Sequence, residues 1–480
     1  MNEKLKANLR EFYSSRSGQA GAILFLIFFI ISFLVILLFP LNFGNTVWSN
    51  PVYWSDNPKA APPFWISSFN SNSYVDHVTF SSSTPDKIVD CIQCPNKYYY
   101  YFELDHTSDN FPTFLSFSYD NVTFNQESPY VKIYIERPDG KTILIYRDVV
   151  TPPLPNETPP YVKYENSPFR INLSGDNTVS SNLISFLSSD LNIHTTINEI
   201  SGRNEQIIFG NLIHDDVESF EALKGSYYIT IEFTLHDQRD SIGNVKFVSG
   251  GSKYGFMGTD ALGRDLALGL LYGFPVALFI GLVTSTLTTF IGTTLGIISG
   301  YVGGKTDIVI QRFSDILSNI PLLPVLIFLL FVIGPKLWLV MIILIAFGWP
   351  GLTIIVRSMV LQIRTGQSIE SAQAIGASRI RIMYRHIFPQ LAPFIFAQLI
   401  FFTPAAILAE ASLSFLGLGD PSIPTWGQIL ENGFRTGGVY IGYWWWILPP
   451  GILIVLTAMI FVFIAIAFEP IVNPKIKKYE

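Results

Sequence analysis

An uncharged apolar run near the start of the chain places the strongest constraint on the fold. Residues 19–39 hold no charged side chain, and almost all of them are apolar. A bilayer core about 30 Å thick needs roughly 20 such residues in a helix. A cleaved signal peptide has an apolar core of only about 7–15 residues, with small residues at its cleavage site. Because Phe39, Pro40 and Leu41 follow this longer run, an uncleaved membrane helix over residues 19–40 is favoured.

Five more apolar stretches predict that the chain crosses the membrane six times. They cover residues 272–298, 317–334, 337–357, 391–414 and 446–468. Only 14% of the chain is charged, against about 25% in soluble domains. Lysine and arginine precede the first span and concentrate between alternate spans, as they do in cytoplasmic loops. The predicted fold is a polytopic α-helical membrane protein with cytoplasmic tails at 1–18 and 476–480.

A polar segment separates the first two spans and is predicted to form an extracytoplasmic domain. Residues 41–255 contain 25 acidic and 14 basic side chains, which argues against a nucleic-acid-binding surface. Residues 130–136 alternate as a half-buried strand does, and the turn Pro138-Asp139-Gly140 leads into a return strand at 141–146. We predict a mainly β, sandwich-like domain inserted between helices 1 and 2. Further strands are predicted at 98–104, 113–119 and 226–235, and a short helix at 215–223.

The same domain holds both cysteines and three sequons. Cys91 and Cys94 are consistent with a small-loop disulfide, with free thiols, or with a metal site that takes His77 and His106 as further ligands. The disulfide is favoured, so no metal site is predicted. Asn-x-Ser/Thr sequons are candidate glycosylation sites on an outer domain. They begin at Asn121, Asn156 and Asn172.

Small residues recur at every fourth position of the second span. Thr284, Thr288, Gly292, Gly296 and Gly300 fall on one helix face. Such a face lets two helix backbones approach closely. A tightly packed bundle is therefore favoured over a ligand path along this face.

A polar motif, Gly-Thr-Asp-Ala-Leu-Gly-Arg-Asp, directly precedes the second span. Asp260 and Arg264 can pair across one helical turn, and leucines recur at spacing four from Leu262 to Leu270. We predict an amphipathic helix that lies at the outer membrane surface. The motif residues of interest are Gly258, Thr259, Asp260, Gly263, Arg264 and Asp265.

The inner segment 367–390 begins with a helix-compatible sequence. Gly376 is a predicted helix end, and three arginines and a histidine then precede Pro389. Taken alone, a basic inner loop is most often a determinant of topology.

Together these motifs resemble the inner-membrane permease subunits of ABC importers, in the dipeptide, oligopeptide and nickel family, and specifically the second, C-type permease subunit. That family carries an inner-loop signature of Glu-Ala-Ala, then Gly, then a closing Ile-Leu-Pro. The matching residues are Glu370-Ser371-Ala372, Gly376-Ala377-Ser378 and Ile387-Phe388-Pro389. The Gly258 motif, residues 407–419 and residues 424–427 are also similar and keep the family's order. The resemblance covers about residues 255–475 and the first span.

The resemblance implies a permease core over 256–475 in the plasma membrane of a prokaryote. Glu370 to about Ser378 would form the coupling helix that seats on an ATPase subunit, and Gly376 would let the chain turn sharply out of it. Ser371 and Phe388 depart from the family pattern, but their size and polarity should preserve coupling. The implied partners are a second homologous permease in a heterodimer, two ATPases that bind ATP and Mg, an extracytoplasmic substrate-binding protein and membrane lipid. The chain itself would bind no cofactor, no metal and no nucleic acid, and would catalyse no reaction.

Glu410 lies within the predicted fifth span, where a carboxylate is costly and usually faces the bundle interior or water. It would either line the path or cap and pair near the outer end, and the structural role is favoured. Residues 299–306 look like a phosphate-binding loop, but Ser299 stands where glycine is required and a span precedes it.

Peptides are the first predicted substrate class, with oligosaccharides and nickel as alternatives. A receptor that binds a ligand through the outer domain is the alternative from another class. It leaves the inner loop unexplained.

Overall fold

Two compact units make up the computed structural model of this chain, which describes residues 10–69, 74–89, 95–212 and 219–472. One unit contains Met1–Pro51 and Leu266–Glu480, and the other contains Val52–Asp265. The second unit thus begins at 52 rather than 41 and ends at 265 rather than 255. The reason is a set of hydrogen bonds that joins residues 254–264 to residues 57–64.

The long N-terminal helix, α1 (Arg16–Leu38), is capped by Ser15, whose side chain accepts a hydrogen bond from the Gly18 amide. It confirms the helix predicted over 19–39. A short π-helical turn, Gly44–Trp48, follows it.

The unit of residues 52–265 is mainly β, as predicted. Its strands are β1 (Val78–Ser82), β2 (Lys87–Val89), β3 (Asn96–His106), β4 (Leu115–Tyr119), β5 (Val122–Phe124), β6 (Tyr130–Glu136), β7 (Thr142–Val149), β8 (Tyr161–Lys163), β9 (Phe169–Asn172), β10 (Gly210–Leu212), β11 (Phe220–Ala222), β12 (Gly225–Leu235) and β13 (Val245–Ser249). Its helices are α2 (Asn177–Asp190), α3 (Ile197–Ile200) and α4 (Asn204–Phe209).

Two antiparallel sheets pack against each other in this unit. One has the strand order β1-β13-β4-β9 and the other the order β2-β3-β12-β6-β7. Rings meet between the sheets, with centroids 5.1 Å apart for Phe80 and Phe102 and 5.4 Å apart for Tyr119 and Phe233. Burial alternates along β6, where Ile133 is fully buried, because successive side chains of a strand point to opposite faces. The predicted sandwich is confirmed.

The predicted helix at 215–223 is wrong where the structure describes it. Residues 213–218 lie outside the described residues, and Phe220–Ala222 form β11, which pairs with β10. Pairing with a neighbouring strand satisfies the backbone of this short segment, so its weak helical pattern does not decide its conformation.

The remaining helices belong to the other unit. They are α5 (Leu266–Val302), α6 (Gly304–Asn319), α7 (Leu322–Ile333), α8 (Leu337–Ile363), α9 (Gln367–Ala374), α10 (Arg379–Ile382), α11 (Phe388–Leu413), α12 (Trp426–Arg435), α13 (Gly438–Ile441) and α14 (Trp444–Val472).

Within the described residues, five helices are long and apolar enough to cross a membrane, or up to six if one bent pair counts as a span. That pair is α6 and α7, which meet at 80°. The predicted span over 317–334 is therefore not one straight helix. Pro321 explains the break, because a proline disfavours helical backbone in the residue before it, and Ile320 is extended.

Helix α5 packs along α8 through the face of small residues. A Cβ added at Gly296 would lie 2.7 Å from the Val356 Cβ, and one at Gly300 would lie 2.7 Å from the Val360 Cβ. Only glycine permits these approaches. The predicted tight packing is confirmed, since the stripe lies against a neighbouring helix.

Candidate functional site

The loop between α8 and α11, to which we give the name inner loop after its predicted side of the membrane, contains a short helix and a sharp turn. Helix α9 covers Gln367–Ala374, and its terminal carbonyls accept hydrogen bonds from the Gly376 and Ala377 amides. Gly376 adopts a φ of +79°, a conformation that residues with a Cβ rarely take. The predicted helix end at Gly376 is confirmed. Ser378 then caps α10, because its hydroxyl accepts a hydrogen bond of 3.4 Å from the Arg381 amide.

Buried side chains fix this loop to the helix bundle. Ile369 and Ala372 of α9 are buried in a cluster with Ile297 of α5 and Val360 of α8. A residue four positions along a helix lies on the same face, so Ile369 and Gln373 project together, and the Gln373 amide lies 3.3 Å from the Tyr301 hydroxyl. Motion of α9 would therefore be transmitted directly to α5 and α8.

The opposite side of the loop faces outward. Glu370, Ser371, Gly376 and Ser378 are exposed, whereas Ala377 is half-buried. These are positions of the family motif in the sequence.

Three apolar side chains of the same loop were missed. Ile375, Ile380 and Tyr384 are 86%, 75% and 76% exposed. Exposed apolar side chains grouped in one segment mark an interaction surface. The available signal was that Ile375 directly precedes the turn glycine, where the helix face that packs inward has already ended.

Pro389 closes the motif at the start of α11. It occupies one of the first two helical positions, where a missing backbone N–H costs nothing. Ile387 just before it is fully buried in the same cluster as Ile369. The closing residues thus anchor the loop at its second end.

An ion pair beneath the loop was also missed. The Arg357 guanidinium of α8 donates two hydrogen bonds of 2.6 Å to the Asp307 carboxylate of α6. Ser299 donates to the same carboxylate, and Arg364 donates to the Gly300 carbonyl at 3.3 Å. These bonds tie the end of α5, the start of α6 and the C-terminal part of α8 together. Sequence spacing gave no signal for them, because Asp307 and Arg357 are far apart in the chain.

The segment that looks like a phosphate-binding loop has another structure. Residues 299–302 are the last turn of α5, and Gly303 and Gly304 take positive φ where α6 begins. The segment is thus a helix–turn–helix connection. A phosphate-binding loop lies between a strand and a helix, so this resemblance is confirmed as misleading.

Glu410 is buried near the end of α11. It is 4% exposed, and its carboxylate accepts a hydrogen bond of 2.6 Å from Ser414. The chain turns there through a π-helical segment, Ser414–Leu418, in which Gly417 takes a φ of +80°. A carboxylate bonded within its own turn supports the structural role for Glu410.

The residues after Glu410 fold back onto the bundle. The Trp426 indole donates to the Leu270 carbonyl at 2.9 Å, and a Cβ on Gly427 would lie 2.6 Å from the Ala411 carbonyl oxygen. Thr425 caps α12 by accepting from the Gln428 amide. Residues 407–419 and 424–427, the two segments that resemble the permease family, thus contact each other.

The predicted amphipathic helix over the Gly258 motif is wrong. Residues 258–265 form a closed turn in which Gly258 and Gly263 take φ of +74° and +80°. The Asp260 carboxylate accepts from the Leu262 and Arg264 amides and pairs with the Arg264 guanidinium. The predicted pairing of Asp260 and Arg264 therefore exists, but it closes a turn.

The turn is braced by the start of the β-rich unit. The Thr259 hydroxyl donates to the Pro58 carbonyl and accepts from the Ala61 amide. A Cβ on Gly263 would lie 2.9 Å from the Trp54 carbonyl oxygen. The contacts between distant segments decide this geometry, and they are invisible in an eight-residue pattern.

The structure describes the three sequons of the β-rich unit but not its two cysteines. Asn121, Asn156 and Asn172 are all exposed. Cys91 and Cys94 lie outside the described residues.

The two histidines considered as metal ligands are packed among aromatic rings. His77 contacts Phe114 and Tyr254. Burial lowers the pKa of His77 to about 4, while the Asp56 charge raises it by less and the Lys246 charge lowers it further. His106 contacts Phe209 and Tyr227, and burial lowers its pKa below the ordinary value as well.

Known proteins match this chain over slightly less than half of its length. The family of binding-protein-dependent transport system inner membrane components matches residues 292–478. The dipeptide transport system permease protein DppC of Bacillus subtilis (strain 168) is 34% identical over 224 residues, which are 46% of this chain and 69% of that protein. The oligopeptide transport system permease protein OppC of Haemophilus influenzae is 35% identical over 223 residues, which are 46% of this chain and 71% of that protein. OppC of Bacillus subtilis (strain 168) is 33% identical over 228 residues, 47% of this chain and 74% of that protein. The chain therefore belongs to the family of binding-protein-dependent transport system inner membrane components.

Proposed function

We propose that this chain is a translocation subunit of an ATP-driven importer for peptides and forms half of the path across the membrane. The observation that carries the proposal is the inner loop, which is buried on one side, exposed on the other and placed at the family's motif. The relatives named as dipeptide and oligopeptide permeases support peptides as the substrate class.

The coupling role rests on how the loop is held. Its inward side chains, Ile369 and Ala372, are buried against helices α5 and α8. Its outward side carries Glu370 and the exposed Ile375. An ATPase subunit that seats on the outward side would push on two spans through packed side chains. Packed interiors transmit displacement because they have few voids.

The whole importer would contain several further chains. A second homologous permease would complete the path, two ATPases would bind ATP and Mg and carry out the hydrolysis, and an extracytoplasmic binding protein would deliver the peptide. In this arrangement the chain has six spans, with α6 and α7 counted as one broken span. Both termini are then cytoplasmic, as the positive charges of the inner segments favour.

The β-rich unit would then lie outside the cell. Its sequons are candidate glycosylation sites there, since all three asparagines are exposed. Cys91 and Cys94 would form a disulfide in that oxidising compartment.

Two arginine substitutions in the inner loop test the proposed function. The Glu370→Arg and Ile375→Arg variants place a new charge on the outward side, where each side chain is exposed and folding is little affected. We expect uptake of a labelled oligopeptide to fall at least about tenfold, which corresponds to 1.4 kcal/mol of lost coupling. The control is Gln362→Arg, which is also at an exposed position and lies at the C-terminal end of α8.

The measurement pairs uptake with the ATPase rate of the assembled importer. Loss of both in the loop variants, with normal amounts of protein in the membrane, supports the proposal. Unchanged uptake in both variants overturns the coupling assignment. Normal ATPase activity without peptide uptake by the unmodified importer would instead overturn the substrate class and direct attention to oligosaccharides or nickel.

A further inference from the structure

The two ends of the β-rich unit are joined into one ribbon. The Phe64 amide donates to the Gly255 carbonyl at 2.9 Å, and the Thr259 amide donates to the Ala61 carbonyl at 2.8 Å. The Trp65 indole donates to the Phe256 carbonyl at 2.9 Å. We call residues 52–69 and 254–265 together the basal ribbon. Because its two segments are bonded to each other, the backbone positions that carry its exposed side chains are fixed relative to one another.

The basal ribbon exposes large apolar side chains. Each of them is more than half exposed, and they come from both segments. They are Val52, Tyr53, Phe64, Phe69, Phe256 and Leu262. Large exposed apolar side chains gathered in one region mark a contact with a membrane or with another protein.

The ribbon has five charged residues, of which Asp260 and Arg264 are buried and Asp56 and Asp265 are half-buried. Asp260 and Arg264 are 1% and 7% exposed and neutralise each other. Asp56 is bonded to Arg170 and Lys246 of the sandwich. Lys59 is exposed. Most exposed side chains of the ribbon are therefore apolar, and Lys59 is its one exposed charged residue.

The chain itself holds the ribbon close to a bilayer. Leu266, the residue after the ribbon, begins the candidate span α5. Leu262 is four residues earlier, so an extended chain keeps it within about 14 Å of the start of that helix. At the other end, α1 finishes at Leu38, fourteen residues before Val52. This short tether favours lipid over a soluble partner.

From these observations we propose that the basal ribbon inserts its apolar side chains into the outer headgroup layer of the membrane. Tyrosine is enriched at this depth because its ring is apolar and its hydroxyl is polar, and phenylalanine and leucine side chains bury apolar area at the boundary of headgroups and acyl chains. Lys59 would face lipid phosphates, which attract basic groups. The ribbon takes the place of the helix that the sequence predicts at the membrane surface, and it uses loops to do so. This contact does not depend on what the protein transports.

A depth measurement on the full chain tests the proposal. Single cysteines replace Phe256, Leu262 or, as a control on the exposed face of β3, Glu103, in a chain that carries Cys91→Ser and Cys94→Ser. Each is labelled with an environment-sensitive fluorophore in vesicles of phosphatidylcholine and phosphatidylglycerol. We expect labels at 256 and 262 to emit at shorter wavelength and to be quenched by lipids that carry a spin label at the headgroup. The label at 103 should be quenched only by aqueous iodide.

Two results overturn the proposal. Quenching of the labels at 256 and 262 by iodide alone places the ribbon in water. Shielding from both quenchers in the assembled importer assigns the surface to a partner protein instead. If the cysteine-free chain does not fold, hydrogen exchange of the unmodified chain decides the question. Amides 255–264 should exchange more slowly in lipid vesicles than in a lipid-free polymer, and equal rates contradict the membrane contact.

Discussion

The helical unit and the β-rich unit are held together by opposite means. Along α5 and α8 the decisive positions lack side chains, since a Cβ at Gly296 would lie 2.7 Å from the Val356 Cβ. In the sandwich the decisive positions carry large ones, such as Phe117 and Phe247, which face each other in neighbouring strands and are fully buried. Contact between helices in lipid is not favoured by the hydrophobic effect, so the stability of helix packing depends on close fit. Burial of apolar area from water is favourable, so the stability of the sandwich depends on the size of its buried side chains.

The largest effect expected from this contrast is the loss of a core ring. Phe117→Ala in β4 removes a fully buried side chain and should cost about 3–5 kcal/mol, because transfer and cavity terms add. Hydrogen exchange followed by mass spectrometry of the full chain can localise the loss. We expect faster exchange in the strands and unchanged exchange in α5 and α8.

A matched control uses a ring on the outer face of the same unit. Tyr101 in β3 is 46% exposed, and Tyr101→Ala should change stability by less than about 1 kcal/mol, since little buried area is lost. If exchange in α5 and α8 also rises in Phe117→Ala, the two units do not unfold independently and the contrast fails.

A smaller effect of opposite design is expected in the helical unit. Gly296→Ala adds a single methyl group, and the clash with Val356 should cost about 1–3 kcal/mol. The control is Gly351→Ala on α8, where an added Cβ meets nothing within 4 Å. Alanine favours a helix over glycine by about 1 kcal/mol, so the control should be neutral or stabilising.

Thermal stability of the purified chain in mild detergent compares the two glycine variants. A lower unfolding temperature for Gly296→Ala and not for Gly351→Ala confirms that backbone approach holds α5 to α8. Equal unfolding temperatures would show that the stripe is only a consequence of composition.

The features that sequence predicted are those with a local pattern. The apolar run of α1 and the alternation of β6 each reflect the environment of one element, lipid or a half-buried sheet. Gly376 was predicted as a helix end because only its own backbone geometry is involved. The inner-loop positions came from resemblance to a family.

The features that sequence missed depend on contacts between distant residues. The Gly258 motif has the spacing of a helix, yet bonds to Pro58 and Ala61 close it into a turn. Asp307 and Arg357 carry no sign in sequence that they will meet. The exposed apolar side of the inner loop depends on which face of α9 is buried, and the position of Ile375 directly before the turn glycine was its one signal in the sequence.

The Asp307–Arg357 pair gives a further prediction for the helical unit. Arg357→Ala leaves Asp307 without two charge-assisted hydrogen bonds and should cost about 1.5–3 kcal/mol, at the lower end because both groups are partly exposed. Arg312→Ala, an exposed position on α6, serves as the control. The unfolding temperature in detergent should fall only for Arg357→Ala, and a double variant with Asp307→Ala should lose less than the two changes summed. Additive losses would show that the pair is not coupled.

The smallest expected effect is a pH dependence that belongs to the β-rich unit, where five of the six histidines lie between residues 41 and 255. Burial lowers the pKa of His77 from 6.5 to about 4, although Asp56 raises it and Lys246 lowers it further. Between these values the unfolded chain binds a proton that the folded unit does not, so stability falls as pH drops from 6.5 toward 4. The loss should be about 1–2 kcal/mol, after allowance for partial exposure.

The unfolding midpoint, followed by near-ultraviolet circular dichroism at a series of pH values, measures this dependence. His77→Gln should flatten part of the slope, and His106→Gln should flatten another part, since burial also lowers the pKa of His106. Burial raises the pKa of Asp56, but the Lys246 hydrogen bond and the Arg170 and Lys246 charges lower it below its ordinary value. The stability that ionised Asp56 contributes is therefore lost at the acid end of this window and below it. An unchanged slope in His77→Gln would mean that His77 is solvated in the folded unit and that the sandwich end around it opens, which is the reverse of the close packing seen between Phe114 and Tyr254.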